Sequence, residues 1–495
     1  MMFSTEELLE RNNEDEIADL FIKEHVVPQE HKAAYHFMAP CGWINDPNGF
    51  SKYQGKYHLF YQHYPYAPEW GSMHWGHAIS EDLIHWEHLP VALTPGAAFD
   101  EDGCYSGSAL EIEGQHILMY TGHLKAQEGI PKSHRQMQNL AVGDGVRYKK
   151  YKGNPVIGSN LLPEECQIND FRDPKFWHEN GQYYLLCGNR SKQNKGQIVL
   201  FSSENLTKWH CVGVVKENFG PLGAMWECPD YRKINGQDVL FLSPTEIEPD
   251  GLKHTNLRST VYFVGDFNKN IPAFTAQNGD EIDYGLDFYA PQFLSGEENR
   301  TIYIAWMQMW KRNIPSSDFG IAGAMTLPRE VTLVNGKLIQ QPAREVYTLR
   351  KQKSSVNFAL SGQMQSVPAL FGRIGEINLC FSKVQSGKVE LFLAANDDAT
   401  VYSKLSYDVE KTLLTFDRSH SESGISGLNQ RSMSVELVDG QLSLQIFLDR
   451  YSLEIFAQGG SKTMTHTIYT EIKHEHFFVS GTKGIEVVGE RYDYQ

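Results

Sequence analysis

The amino-acid sequence predicts an all-β protein: a five-bladed β-propeller followed by an antiparallel β-sandwich, with a short N-terminal helix. The first observation is an internal repeat of five units, each about 55–70 residues long and made of several short β-runs, as in propeller blades. The second is a change near residue 350, after which apolar and polar residues alternate. The third is the length of 495 residues, which exceeds one ordinary core and favours two domains.

The chain begins with a segment that has the pattern of one amphipathic helix over residues 4–24. Ser4 and Glu7 have the spacing of a capping box, and Ile17 and Leu20 belong to the apolar side. We expect this helix to pack on the outside of the domain that follows.

The repeat is clearest in two stretches that lie 127 residues apart (173 minus 46). Asp46-Pro47 precedes a β-run at residues 55–60, and Asp173-Pro174 precedes a matching run at residues 181–186. Weaker copies begin with the acidic residues Asp102, Glu227 and Asp287. Repeats of this length predict propeller blades, because solenoid repeats are usually shorter.

The same patterns set the expected domain boundaries. We assign residues 1–33 to an N-terminal helical segment, 34–335 to the propeller, 336–350 to a linker and 351–495 to the sandwich. The strict alternation in residues 442–448 (LSLQIFL) is typical of sandwich strands. We expect any homodimer to form through this sandwich.

Three carboxylates are predicted to meet on the propeller axis. The first strand of each blade lines that axis, so Asp46, Asp173 and Glu227 should point into one funnel. Cleavage of a glycosidic bond needs a carboxylate and a carboxylic acid on opposite sides of the bond, roughly 5–5.5 Å apart in retaining enzymes. The trio therefore indicates a glycosidase, whose two roles require surroundings that push the pKa values apart.

Six motifs occur in a fixed order and together resemble glycoside hydrolase family 32. They are Asn45-Asp46-Pro47-Asn48-Gly49, Trp75-Gly76-His77-Ala78, Tyr105-Ser106-Gly107-Ser108, Arg172-Asp173-Pro174, Glu227-Cys228-Pro229-Asp230 and Tyr289-Ala290-Pro291-Gln292. The resemblance runs from about His36 to the C-terminus. It implies the same fold as the repeat count, a five-bladed propeller followed by a β-sandwich.

The resemblance also implies roles for individual residues. Asp46 would be the nucleophile, Glu227 the acid/base and Asp173 the stabiliser of the transition state. The residues expected around the fructose unit are Asn45, Gln62, Trp70, Tyr105, Ser106, Arg172 and Trp306. The family usually has Phe where this chain has Tyr105, a change that keeps the aromatic wall and adds a hydroxyl.

The neighbours of these carboxylates suggest their protonation states. Arg172 next to Asp173 favours a permanently charged Asp173. An apolar neighbourhood formed by Trp226 and Cys228 should raise the pKa of Glu227, as an acid catalyst needs.

The function implied by the resemblance is a retaining β-fructofuranosidase. It would release fructose from sucrose, sucrose 6-phosphate or short β-fructosides through a fructosyl-enzyme intermediate. An exo-fructanase or fructosyltransferase would use the same three carboxylates, and an inverting propeller hydrolase or a non-catalytic sugar-binding propeller are further alternatives. A phosphorylated substrate needs a nearby cation, for which Lys311 and Arg312 are candidates.

The composition argues against other classes of partner. A formal net charge of −16 disfavours nucleic acid and anionic membranes. There is no run of roughly 18 or more apolar residues and no apolar signal core, so we expect neither a membrane span nor export. The seven cysteines are odd in number and lack a C-x-x-C motif, which favours free thiols in a reducing cytoplasm.

A histidine-rich segment raises the question of a metal. His74 and His77, and likewise His85 and His88, are separated by two residues, but further ligands at matching spacing are not evident. We therefore expect core and rim histidines, no metal site and no cofactor.

Overall fold

The structure is a computed structural model that describes residues 2–11, 13–126, 135–297 and 299–494. Five mainly antiparallel sheets form the propeller and two six-stranded sheets form the C-terminal sandwich. The predicted fold class is confirmed. In the described residues, no helix is both long and apolar enough to cross a membrane.

The N-terminal segment contains a 3₁₀ turn, Thr5–Glu7, and one α-helix, α1, Asn13–Glu24. The capping box is present, with Ser4 Oγ donating to Glu7 Oε2 at 2.8 Å, but it caps the short turn. The predicted single helix over 4–24 is wrong, because Leu8 leaves the helical path and forms a β-bridge with Tyr151.

Helix α1 contacts the propeller through polar groups and one aromatic ring. Thr94 Oγ1 donates to Asp15 Oδ1 at 2.6 Å, and the Val91 amide donates to an oxygen of Asp19 at 2.8 Å. Ile17 and Leu20, expected on the packing side, are 49% and 57% exposed. Carboxylates of the helix therefore contact blade 1, as does Phe21, whose ring centre lies 5.0 Å from that of Tyr66.

The propeller strands follow the chain in order, blade by blade. Blade 1 contains β1 (Gly42–Tyr53), β2 (Lys56–Tyr64), β3 (His74–Ser80) and β4 (Trp86–Leu93). Blade 2 contains β5 (Gly103–Ile112), β6 (Gln115–Leu124), β7 (Arg135–Gly143) and β8 (Tyr148–Lys150). Blade 3 contains β9 (Cys166–Glu179), β10 (Gln182–Ser191), β11 (Gly196–Ser203) and β12 (His210–Val214). Blade 4 contains β13 (Lys216–Glu217), β14 (Met225–Ile234), β15 (Gln237–Thr245), β16 (Val261–Asn268) and β17 (Ala273–Glu281).

Blade 5 completes the ring and also reaches back to the first blade. It contains β18 (Tyr289–Phe293), β19 (Ile302–Trp306), β21 (Arg329–Val334) and β22 (Lys337–Pro342). The short strand β20 (Ile321–Ala322) instead pairs in parallel with β1 of blade 1. The innermost strands β1, β5, β9, β14 and β18 contact one another in a closed circle. The predicted linker start at 336 falls inside the β21–β22 hairpin, so blade 5 extends to Pro342.

Short 3₁₀ turns connect several of these elements. They are Gln29–His31, Ser159–Leu161, Pro315–Phe319 and Arg344–Leu349 in the first part of the chain, and Pro368–Leu370 and Gln458–Gly460 in the sandwich.

The sandwich packs two sheets around one apolar core. The first sheet has the order β23 (Lys353–Ala359), β34 (Glu486–Asp493), β25 (Gly375–Ser382), β30 (Leu442–Leu448), β31 (Ser452–Ala457) and β32 (Lys462–Thr467). The second has the order β24 (Gln365–Ser366), β33 (His476–Gly481), β26 (Lys388–Ala395), β27 (Ser403–Asp408), β28 (Leu413–Asp417) and β29 (Gln430–Ser434). Inward residues such as Leu391, Leu405 and Ile446 form the core, as the alternation predicts.

The interface between the two domains is buried and contains many charges. Arg329 of blade 5 is completely buried and pairs with Glu454 of the sandwich at 2.6 Å and with Asp283 at 2.9 Å. His36, just before blade 1, lies between Asp449 and Glu454 of the sandwich. Buried ion pairs of this kind require both partners, so the two domains depend on each other.

Candidate active site

A β-bulge interrupts each of the five innermost strands at the same level of the axis. The bulges contain residues 45–46 of β1, 106 of β5, 173–174 of β9, 228–229 of β14 and 290–291 of β18. A bulge adds a residue to one strand and redirects its side chain. The repeat therefore brings five equivalent segments, distant in sequence, to one place.

The equivalence differs in detail from the expectation. Asp46, Asp173 and Cys228 each precede the proline of their bulge, whereas Glu227 lies one residue earlier, in the position that Arg172 holds in blade 3. The acids expected to lead units two and five lie elsewhere: Asp102 accepts the amide of Lys125, and Asp287 is buried in ion pairs with Arg312 and Arg418. Only two of the three carboxylates thus occupy matching positions.

A cavity of about 310 Å³ opens at the level of these bulges. It is lined by Asn45, Asp46, Gln62, Trp70, Tyr105, Ser106, His123, Gln136, Asn169, Asp170, Arg172, Asp173, Glu227, Arg258 and Trp310. The cavity therefore contains all three candidate catalytic residues and six of the seven expected substrate-binding residues. Its volume is in the range of small-molecule sites, roughly 300–1,000 Å³.

Trp306 is the expected binding residue that does not line the cavity. It is completely buried, with its ring centre 5.7 Å from that of Trp43 and 5.1 Å from that of Trp310. Trp310, four residues later, forms the cavity wall instead. The sequence does not distinguish Trp306 from Trp310, because only the turn after β19 determines which indole reaches the cavity.

Several cavity residues were missed at the level of sequence. They are His123, Gln136, Asn169, Asp170, Arg258 and Trp310. Gln136 and Asn169 have polar side chains without a distinctive motif. Arg258 was detectable only as an unassigned cation in the loop before β16, since it belongs to none of the six ordered motifs.

One sulfur atom touches two of the carboxylates. The thiol of Cys228 lies 3.5 Å from Asp46 Oδ2 and 3.6 Å from Asp173 Oδ2. The Cys228 amide also donates to Asp173 at 2.9 Å. Because Glu227 is the preceding residue, this contact places all three acids around the same point on the axis.

The hydrogen-bond donors at the Asp46 carboxylate, the Ser106 hydroxyl and the Cys228 thiol, are uncharged. Ser106 Oγ donates to Asp46 Oδ2 at 2.7 Å, and no cation among the described residues forms an ion pair with this carboxylate. Burial raises the pKa of Asp46, the Ser106 hydrogen bond opposes this effect, and the charge of Glu227 adds to it.

Asp173 is less acidic than its neighbour Arg172 suggested. Burial, together with the charges of Glu227 and Asp46, raises the pKa of Asp173 to about 7 although the charge of Arg172 opposes the shift. The guanidinium of Arg172 donates to Asp170 at 2.7 Å and to Glu227 at 2.8 Å. The expected permanent charge on Asp173 is therefore wrong, because burial and the neighbouring carboxylates outweigh the charge of Arg172, whose hydrogen bonds go to other carboxylates.

Glu227 is surrounded by donors. Arg172 donates to one of its oxygens at 2.8 Å, and Arg258, at 2.5 Å, and the hydroxyl of Tyr289 donate to the other. Burial alone would raise the pKa of Glu227, but the charges of Arg258 and Arg172 and these hydrogen bonds lower it to about 2. The expectation of a raised pKa is wrong, because the charges of Arg258 and Arg172 outweigh the effect of burial.

The aromatic residues of the cavity form one side of its rim. Trp70 is 49% exposed and lies edge-on to Tyr105, with 6.1 Å between ring centres. Tyr105 in turn stacks on His123 at 4.4 Å. Exposed aromatic faces of this type suit the apolar face of a sugar ring.

The candidate phosphate-binding cations differ in availability. The side chain of Arg312 is only 6% exposed and pairs with Asp287 at 2.6 Å, so its charge is already satisfied. Lys311 is exposed. Of the two, only Lys311 could meet an anionic substrate without breaking a buried ion pair.

Of the crowded histidines, His58, His63, His74 and His77 are buried, whereas His85 and His88 are exposed. His58 and His77 lie 3.0 Å apart within blade 1, and burial lowers the pKa of both. In the residues that the structure describes, no group of three or more His, Cys, Asp or Glu side chains is arranged to hold a metal ion.

A second, larger cavity of about 610 Å³ occupies the opposite mouth of the axis. Trp177, Tyr231 and Arg232 are among its lining residues, and Asp46, Asp173 and Glu227 are not. The bulge prolines separate the two cavities. The smaller cavity is therefore the candidate active site, because it alone contains the carboxylates.

Converging carboxylates in a polar and aromatic pocket on a propeller axis define a glycoside hydrolase. The N-terminal domain of glycosyl hydrolases family 32 matches residues 36–342, and the family's C-terminal domain matches residues 345–490. The chain belongs to glycosyl hydrolase family 32.

Individual relatives cover nearly the whole chain. A sucrose-6-phosphate hydrolase of Zymomonas mobilis is 37% identical over 443 residues, which are 87% of this chain and 85% of the relative. A raffinose invertase of Escherichia coli is 36% identical and covers 88% of this chain and 89% of its own length. A solved structure of a Bombyx mori β-fructofuranosidase mutant in complex with sucrose has a TM-score of 0.85 and 31% identity, and the match covers 98% of each chain.

Proposed function

We propose that this glycoside hydrolase releases fructose from sucrose, sucrose 6-phosphate or short β-fructosides by double displacement with retention. The observation that carries the proposal is the contact of the Cys228 thiol with both Asp46 and Asp173, next to Glu227, within one cavity. The names of the relatives, a sucrose-6-phosphate hydrolase and an invertase among them, support a substrate of this class.

Asp46 is the nucleophile in this mechanism. Its surroundings supply one hydroxyl and one thiol but no ion pair among the described residues, whereas Glu227 pairs with both Arg172 and Arg258. Asp46 would attack the anomeric carbon of the fructosyl unit and form a covalent intermediate. Asp173, with its pKa near 7, would hold fructose hydroxyls and stabilise the transition state.

Glu227 is the acid and then the base, which requires its pKa to rise when substrate binds. Arg258 is the donor best placed to change partners, since its side chain is 26% exposed and lines the cavity. A leaving group that enters beside Glu227 would accept hydrogen bonds from Arg258 and remove part of the positive charge from the carboxylate. Glu227 would then take up the proton that it passes to the glycosidic oxygen.

Trapping the intermediate tests the assignment of Asp46 directly. Glu227→Gln should slow hydrolysis of the intermediate, which needs the base, whereas an activated fructoside needs no acid to form it. The variant should then carry one fructosyl unit that peptide mass spectrometry locates on Asp46. Asp46→Ala should abolish both loading and sucrose hydrolysis, whereas Asp102→Asn, outside the cavity lining, serves as control. Loading in Asp46→Ala, or inversion of the first-formed fructose anomer by NMR, would contradict the mechanism.

Product analysis separates the related activities. An exo-fructanase would release fructose from inulin or levan, and a fructosyltransferase would yield kestose-type products from concentrated sucrose. We expect free glucose and fructose from sucrose as the main products. Comparison of kcat/KM for sucrose and sucrose 6-phosphate decides whether the natural substrate is phosphorylated.

We also propose a reducing, cytoplasmic location. All seven cysteines lie in the described part of the chain and none is in a disulfide. Four of them are buried, which fits thiols that are never oxidised in the native state.

A further inference from the structure

Two cavity residues, Arg258 and Trp310, lie on connecting loops. We call residues 254–258, before β16, the Arg258 loop, and residues 307–314, between β19 and β20, the Trp310 loop. The Arg258 guanidinium lies 4.9 Å from the centre of the Trp310 ring and donates to Glu227. Apart from bridges near their ends, such as Arg258 with Thr245, these loops lie outside the blade ladders, so other contacts must fix them.

The sandwich holds the Arg258 loop through Arg431 of β29. This side chain is buried and donates from Nε to Thr255 Oγ1 at 2.9 Å. Its other nitrogens donate to both oxygens of Glu281, at 2.9 and 2.7 Å, and to the carbonyl of Gly285 at 3.0 Å. Arg431 is therefore fixed by the edge of blade 4 and in turn fixes Thr255, three residues before Arg258.

The sandwich holds the Trp310 loop through Arg418, which directly follows β28. Arg418 is buried and pairs with Asp287 Oδ2 at 2.6 Å. The other oxygen of Asp287 pairs at 2.6 Å with Arg312, two residues after Trp310. Asp287 also lies two residues before Tyr289, which donates to Glu227, so one buried carboxylate links the sandwich to two parts of the cavity wall.

Further contacts join the same elements. Arg312 donates to Asn256 Oδ1 at 3.3 Å, which links the two loops to each other. The side chain of Asn313 donates to the carbonyl of Gly424 at 2.8 Å and accepts the amide of Ser426 at 2.7 Å. Both Gly424 and Ser426 belong to the sandwich segment between Arg418 and Arg431.

We propose that the β-sandwich sets the geometry of the acid/base side of the active site, with Arg418 and Arg431 as positioning residues. They keep the Arg258 and Trp310 loops in place, so that Arg258 stays within reach of both Glu227 and the leaving group. The proposal rests on the proposed role of Glu227 as acid/base. No residue of the sandwich is among those that line the cavity. The proposal therefore gives the sandwich an indirect part in catalysis, through the two loops that it holds.

The fructose side of the cavity is built differently. Asp46 and Asn45 lie on β1, Gln62 on β2 and Ser106 on β5, all within the ladders of blades 1 and 2. A disturbance of the sandwich contacts should therefore affect protonation of the leaving group more than attack by Asp46. That asymmetry distinguishes positioning from a general loss of stability.

Two kinds of variant test this. Thr255→Val removes only the hydroxyl that Arg431 reaches and leaves every ion pair intact. Arg418→Lys and Arg431→Lys keep the buried charge but lose the planar fork that contacts several acceptors at once. Arg491→Lys is the matched control, since Arg491 is buried and bonds Asp493 and the carbonyl of Ile374 inside the sandwich.

The readout is kcat/KM on two substrates, with thermal unfolding measured alongside. Sucrose needs protonation of its leaving group, whereas an aryl β-fructofuranoside with an acidic phenol does not. We expect about a tenfold or larger loss on sucrose and less than about a twofold change on the aryl substrate, since small misplacements of a catalytic group have effects of this size. The alkaline limb of the sucrose pH profile should also move.

The possible outcomes are separable. Equal losses on both substrates, or no losses beyond those of Arg491→Lys, would overturn the proposal and leave the sandwich a scaffold. Glu227→Gln is measured in parallel. If this variant also loses kcat/KM on the aryl substrate, Glu227 is not the acid that protonates the leaving group. The positioning proposal would then be wrong because its premise is wrong, whatever the arginine variants show.

Discussion

Raising the pH should weaken the junction between propeller and sandwich by removing a proton from His36. The ring is completely buried, with Nδ1 2.8 Å from Asp449 and Nε2 2.9 Å from Glu454. Burial alone would lower the pKa of His36, but the hydrogen bonds and charges of the two carboxylates raise it from 6.5 to about 9. In the folded protein at neutral pH, the ring is therefore a cation that donates from both nitrogens.

The magnitude follows from proton linkage. Because the folded-state pKa exceeds the unfolded value, the contribution is complete below pH 6.5 and is lost as the pH rises through about 9. At 1.36 kcal/mol per unit, the rise from 6.5 to about 9 corresponds to about 3 kcal/mol of unfolding free energy. Solvent does not screen these interactions, because the His36, Asp449 and Glu454 side chains are all at 0% exposure.

Urea unfolding of wild type and His36→Gln, from pH 6.5 to above pH 9, measures this contribution. Over that range the free energy of unfolding of wild type should fall by about 3 kcal/mol more than that of the variant. Comparing the two proteins cancels the titration of groups that they share. His63→Gln is the control. Burial lowers the pKa of His63 to about 4, so this substitution should change the pH dependence of stability at acidic pH and not above pH 6.5. Equal alkaline losses in wild type and His36→Gln would show that the folded protein holds His36 neutral and would refute the reasoning.

Four further predictions concern the site and the domain junction. Glu227→Gln should lower kcat on sucrose by about 10²–10⁴-fold, measured as glucose released. Ser106→Ala removes the 2.7 Å hydrogen bond that lowers the pKa of Asp46, so the acid limb of kcat/KM should move to higher pH; an unmoved limb would assign that limb to another group. Lys311→Ala should reduce the preference for sucrose 6-phosphate over sucrose, and an unchanged ratio would exclude Lys311 from phosphate binding. Truncation after residue 345 should give no folded product by circular dichroism, because it removes Glu454, the partner of Arg329. Breaking one buried ion pair costs about 3–5 kcal/mol of stability. A folded, fully active fragment would contradict this prediction.

The fold was predictable because a blade must bury both faces of a small sheet, which imposes the same pattern on every copy. The spacing of Asp46 and Asp173 therefore identified two blades, and both residues lie in matching bulges. The boundary at 335 was misplaced because β22 carries no repeat motif, only a pairing partner in β21. The helix over 4–24 was too long because local periodicity cannot show that Leu8 pairs with Tyr151.

The cavity was predictable where residues belong to the ordered motifs, and less so elsewhere: Asn169 and Asp170 were missed although they lie on the innermost strand β9. Asn45, Tyr105 and Arg172 follow from their bulges, whereas Arg258 is placed by contacts with the sandwich, far away in sequence. Protonation states were the least predictable property. They depend on which carboxylate each guanidinium bonds. Arg172 donates to Glu227 and not to Asp173, its neighbour in sequence.

The capture of residues 34–36 by Asp449 has a consequence for biosynthesis. The backbone amides of Ala34, Tyr35 and His36 all donate to this one carboxylate, across 413–415 residues of sequence. At about 5–20 residues per second, a ribosome needs about 20–80 s to make the chain between them. During that time residues 34–36 lack their hydrogen-bond acceptor Asp449. Strand β1 also lacks its partner β20 until residues 321–322 have been synthesised. The nascent propeller should thus stay accessible to proteases and chaperones until the β30–β31 turn emerges, and then acquire resistance in a single late step.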